Sequence, residues 1–61
     1  MLVENYKGIL EYEDFYIRLN TGIGIINING FNLELIQMTS EDVIVVGKIQ
    51  SIDIEENHEG A

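Results

Sequence analysis

Sixty-one residues with eleven acidic and three basic side chains give a formal net charge of −8 at pH 7. That balance sets aside binding to a nucleic-acid backbone, which takes several cations to displace counterions, and it equally disfavours anionic membrane surfaces. The chain has no cysteine, which removes disulfides and thiolate zinc sites, and its 46% hydrophobic residues are too many for a disordered segment.

The N-terminal stretch from Met1 to Lys7 lacks an apolar run of signal-peptide length behind a basic start. A strand is expected over residues 8–12, closed by Glu13-Asp14. In the next segment Phe15, Ile17 and Leu19 share one parity, while Tyr16, Arg18 and Asn20 share the other. This predicts a strand over 15–20 with one face in the core and one in water. Thr21-Gly22 separates it from a strand over 23–28. Asn29-Gly30 follows, and this pair reads as a type I′ hairpin turn because both residues tolerate positive φ. Beyond it come a strand over 31–38, a polar turn at Thr39-Ser40-Glu41-Asp42, a strand over 43–46 and a strand over 48–54. Gly47 is expected to bend or bulge the chain between the last two. The domain is expected to span 1–55, with an acidic tail over 56–61.

No window sustains apolar residues at i, i+3, i+4 and i+7, and proline is absent. The predicted class is therefore all-β. About six short antiparallel strands should form a meander that curls into a sandwich or an open barrel. The edges are expected near Val3 to Tyr6 and over 49–54. The longest strictly apolar run, Val43 to Val46, is far short of a membrane span, and the default location is cytoplasmic.

Parity is not kept throughout. Ile23 and Ile25 give way to Ile26 and Ile28, Leu33 and Leu35 to Ile36 and Met38, and Val43 to Val46 is apolar on both faces. Either bulges occur at these points or both faces are covered. A chain this short buries only about 60% of the surface its unfolded form exposes, so a covering partner is attractive on energetic grounds too. Self-association, or a segment beyond this chain, would supply it.

Candidate chemistry is sparse. Gly22-Ile23-Gly24 lacks the third glycine and following helix of a phosphate loop and reads as a turn. His58, among Glu55, Glu56 and Glu59, is one histidine near a chain end and reads as solvated tail, with no metal site. Ser40, Ser51 and Thr39 have no base in reach, and the carboxylates of Glu11, Glu13, Asp14, Glu34, Glu41 and Asp42 lie on polar parities or in turns. No enzyme, cofactor or catalytic residue is expected. Lys7, Arg18 and Lys48 are too few for a basic patch. Tyr6, Tyr12 and Tyr16 are aromatics with a polar tip, a type enriched at interfaces. Tyr16 should face outward beside Arg18, so these four residues are the interface candidates.

Several ordered pieces carry a family resemblance: Glu4-Asn5-Tyr6-Lys7-Gly8-Ile9 with Glu11-Tyr12, then Ile17-Arg18-Leu19-Asn20-Thr21-Gly22. They continue as Ile28-Asn29-Gly30 with Leu33, and then Glu41-Asp42-Val43 through Gly47-Lys48-Ile49 and Ser51-Ile52. The chain resembles the YabP/YqfC sporulation protein family, closer to the YqfC branch. The resemblance implies a non-enzymatic protein of the mother cell in a sporulating bacterium. It also implies a membrane-anchored, YqfD-like protein as a partner beside a homo-oligomer. Proteins of that branch usually have a further strand before the position matching Val3-Glu4-Asn5; the sequence begins almost at that point, so it is expected to be either a fragment or a shortened member that protects its first strand another way. The expected role is structural or adaptor-like, through sheet-face or edge association. A self-polymerising β-structure and, below it, a small-ligand module are the alternatives.

Overall fold

The computed structural model describes residues 1–56. They form five strands: β1 (Leu2–Val3), β2 (Tyr6–Glu13), β3 (Tyr16–Thr21), β4 (Gly24–Gln37) and β5 (Val43–Glu55). All neighbours are antiparallel, in the order β1-β5-β4-β3-β2. The expected all-β meander is therefore present, from β2 to β5. The chain start returns to pair Leu2 and Val3 with Ile44 and Val43. The sheet curls into a half-barrel, and its inner face holds the core.

Alternation builds that face. In β3, Ile17, Leu19 and Thr21 are buried while Tyr16, Arg18 and Asn20 are half-buried on the outer side. Ile17 pairs with Ile28, and Leu19 with Ile26, so directly opposed side chains share the inner face. Val3, Leu33, Val43 and Val45 complete the buried cluster, with Tyr6, Leu35 and Ile49 packed against it. Phe15 departs from the expected parity. Glu13 pairs with Tyr16, which leaves Asp14 and Phe15 as the connecting loop, and Phe15 is exposed.

The expected turn at Asn29-Gly30 is not there. Both residues lie inside β4, where Asn29 pairs with Tyr16 and Ser51, and Gly30 with Ile49. The glycine answers a different demand. A Cβ at Gly30 would overlap the carbonyl oxygen of Lys48, so two backbones meet where any side chain would part them. The expected strands over 23–28 and 31–38 are thus one strand of 14 residues. Those over 43–46 and 48–54 are likewise one strand of 13 residues.

These two strands carry two bulges; the one facing Gly47 falls where a bulge was expected, whereas the ladder is regular at the parity shifts after Ile25 and after Leu35. Between Asn29↔Ser51 and Gly30↔Ile49, Gln50 is one extra residue on β5; between Phe31↔Lys48 and Glu34↔Val46, β4 has the extra residue. The two offsets cancel, and the hairpin resumes its first register. Asn32 (φ 53°) and Gly47 (φ 116°) face each other at the second bulge in left-handed backbone. A bulge inverts sequence parity without changing the sheet face. Burial on β4 accordingly passes from Ile26 and Ile28 to Leu33 and Leu35. The bend carries Leu33, Val43 and Val45 over Ile17, Leu19 and Ile28, and the sheet buries part of its own inner face.

The expected tail over 56–61, His58 included, lies outside the described residues except for Glu56, which follows β5.

A hairpin turn and a strand corner respond differently to substitution. Gly30→Ala is expected to lower stability by about 3 kcal/mol through overpacking. Asn29→Thr, harmful in a type I′ turn, should change it by less than about 0.5 kcal/mol at this strand position. Urea unfolding midpoints check both.

Candidate interaction surfaces

The four tyrosine and arginine candidates fall on two opposite faces. Tyr6 pairs with Thr21, and Tyr12 with Ile17, which places both on the inner face. Tyr6 is half-buried against the core, and its N–H donates to the Glu41 carbonyl at 2.7 Å. The Tyr12 hydroxyl accepts the Leu35 N–H at 2.9 Å, tying β2 to the far half of β4. Tyr12 is nevertheless exposed.

Tyr16 and Arg18 lie on the outer face in a network that crosses the sheet. The Tyr16 hydroxyl donates to Asn27 Oδ1 at 3.2 Å, and Asn27 Nδ2 donates to Glu55 Oε2 at 2.6 Å. Arg18 sits between two carboxylates, with Nη2 3.3 Å from Glu55 and Nη1 3.9 Å from Glu11. Cross-strand register explains the convergence, because Glu11, Arg18, Asn27 and Asp53 form one row through β2, β3, β4 and β5. The Arg18 Nε is buried without a hydrogen-bond partner. The hydrogen bond from Asn27 holds the Glu55 carboxyl below its ordinary range; partial desolvation opposes this, and the Arg18 charge adds to it.

Apolar surface lies elsewhere. On the outer face of the far half, Leu2, Ile44 and Ile36 stand in one row, with Leu2 at 58% and Ile36 at 44% exposure. On the inner face, Ile9 and Ile54 flank the buried pair Leu19 and Ile26, while Tyr12 and Ile52 flank Ile17 and Ile28. All four flanking residues are exposed. The doubly apolar run from Val43 to Val46 was the legible sign of the first row. Val43 and Val45 fill the core, and Ile44 and Val46 are half-buried on the other side.

The sheet edges differ. β2 has two extra residues against β3, Lys7 and Leu10, so its ladder is interrupted twice. β5 is covered by β1 only at Val43 and Ile44, with Met1 and Val45 exchanging two further bonds. From Val46 to Glu55 its outer side has no strand neighbour among the described residues.

A groove of about 270 Å³ lies between residues 1–5 and Thr21, Ile23 and Ile26. The Thr21 hydroxyl donates to the Gly24 carbonyl at 2.7 Å. Among the described residues no group of three or more His, Cys, Asp or Glu could hold a metal ion, and no helix is long and apolar enough to cross a membrane.

The model of the YabP family matches residues 1–61. No curated protein and no solved structure matches. The chain belongs to the YabP family, a family of sporulation proteins that are not known as enzymes.

The outer network has a pH signature. Glu55, with its folded-state pKa lowered from 4.5, contributes stability that is fully present above that value and is lost as pH falls through the lowered one. In an NMR titration the Glu55 carboxyl should titrate below 4.5, and Asn27→Ala should move its midpoint upward. An unchanged midpoint would assign the shift to Arg18 instead.

Proposed function

We propose that this chain is a non-enzymatic association module of the YqfC-like branch, acting in the mother cell of a sporulating bacterium. It joins proteins through its sheet faces and its open edge. The observation that carries this reading is the row Leu2, Ile44 and Ile36 on the solvent side of the sheet. A single curled sheet has no second layer to cover such a row, and apolar side chains gathered on one solvent face are the mark of an interaction site. The family supports the same reading, because its members are sporulation proteins not known as enzymes.

The occupants are a further copy of the chain and a membrane-anchored sporulation protein of the YqfD type. Tyr16 and Arg18 border the same outer face and form its polar part, while Tyr6 and Tyr12 belong to the inner face. The twice-bulged β2 edge favours closed assemblies over fibres, since head-to-tail growth needs two regular edges.

The exposed row gives the test. Leu2→Ser with Ile36→Thr should leave the fold intact, each change costing no more than about 0.5 kcal/mol at solvent-facing positions. Placed in the spore-forming host, the double variant is expected to reduce heat-resistant spores toward the level of the deletion strain. Normal spore yield from a folded variant, beside a defective deletion strain, would overturn the reading. In parallel, Tyr16→Ala with Arg18→Ser should weaken association while the circular dichroism of the sheet is kept.

A further inference from the structure

We propose that β5 pairs with the β5 of a second copy, antiparallel across a two-fold axis, with Lys48 against the partner's Asp53 and Ile49 against the partner's Ile52. This rests on the association reading above and assigns the open edge to one occupant.

Backbone alternation shows which groups the edge offers. The Gly30 N–H donates to the Phe15 carbonyl at 3.1 Å, so Gly30 turns its backbone to β3. Ile25, Asn27 and Asn29 therefore turn theirs to β5, where they meet Glu55, Asp53 and Ser51. Ile52 and Ile54, lying between those three, point their N–H and C=O groups away from the sheet. Ile49 does the same, because its opposite residue is Gly30. In an antiparallel pair, the residues that exchange bonds must both point outward. Ile49 with the partner's Ile52 satisfies that condition, and the two-fold axis repeats it.

Three further features agree with this register. Ile49 and Ile52 are both on the inner face, opposite Gly30 and Ile28, and pairing them covers apolar surface that is now open. Lys48 and Asp53 are both on the outer face, opposite Phe31 and Asn27. Neither has an ion pair among the described residues, and in this register each meets the opposite charge, twice per dimer. The extra residue Gln50 falls beside the axis, opposite the partner's Ser51. Each strand then advances three residues between the two isoleucine pairs, and the ladder stays in step. The net charge of −8 per chain opposes dimerisation at long range. Charges beyond the Debye length of about 8 Å at physiological salt are largely screened, and the pairs at the seam decide.

Light scattering and sedimentation of the native chain over a wide concentration range should show a discrete mass of twice the monomer. Lys48→Glu and Asp53→Lys are each expected to weaken the dimer by about tenfold, and the double variant to return it to within about threefold of the native chain. Amide exchange at Ile49, Ile52 and Ile54 should slow as concentration rises. A native chain that stays monomeric at millimolar concentration, or a dimer indifferent to both reversals, overturns the proposal. Neither result touches the spore-yield test, which reads the Leu2 and Ile36 face and not this edge.

Discussion

The structure depends on one corner. β4 and β5 are too long to lie flat in a domain of this size, and they bend where Gly30 meets the Lys48 carbonyl and Asn32 faces Gly47. Two bulges, one on each strand, let both turn without losing register. Without the bend, Leu33, Val43 and Val45 would continue a flat inner face with nothing above it. With it, they close over Ile17, Leu19 and Ile28, and a single sheet acts as both layers of its own core. Small chains usually find the missing stability in a disulfide or a metal; here the sheet is folded upon itself instead.

The remaining contacts hold this curl in place. β1 places Val3 in the core and ties Met1 to Val45 at 2.8 and 2.9 Å. Asp14 and Phe15, in the loop between β2 and β3, accept from Leu33 and Gly30, so the loop is fastened to the corner itself. Tyr12 takes the next N–H along β4. On the outside, Arg18, Asn27 and Glu55 tie β3, β4 and β5 together. Polar groups thus brace the outer face at one end while apolar groups are left uncovered at the other.

That asymmetry bears on function. A curled sheet of five strands buries eight apolar residues and leaves Leu2, Ile36, Ile52 and Ile54 in solvent. Its two edge regions are also unlike. Lys7 and Leu10 bulge from β2 and break its ladder, a common way to keep an edge unpaired. β5 presents a long stretch with Ile52 and Ile54 beside it.

The sequence by itself determined the class, most of the strand positions and a choice between bulges and covered faces. Alternation in β3 and the turns at Thr21-Gly22 and Thr39 to Asp42 are local signals, written in adjacent residues. Parity is also a local count, so a break was visible after Ile25 and after Leu35, although the ladder is regular at both points. What it meant was not. Asn29-Gly30 satisfies the local rule for a hairpin, yet Gly30 is demanded by the Lys48 carbonyl, a contact between residues far apart in the chain. The tyrosines show the same limit, since alternation put Tyr16 outside and left the face of Tyr12 open. Only the cross-strand register brought Tyr16 to Asn27 and Tyr12 to Leu35. Local pattern fixes which residues can share a face, whereas the fold fixes which backbones meet. The corner and the open edge belong to the second kind, because they exist only once β4 and β5 have bent over each other.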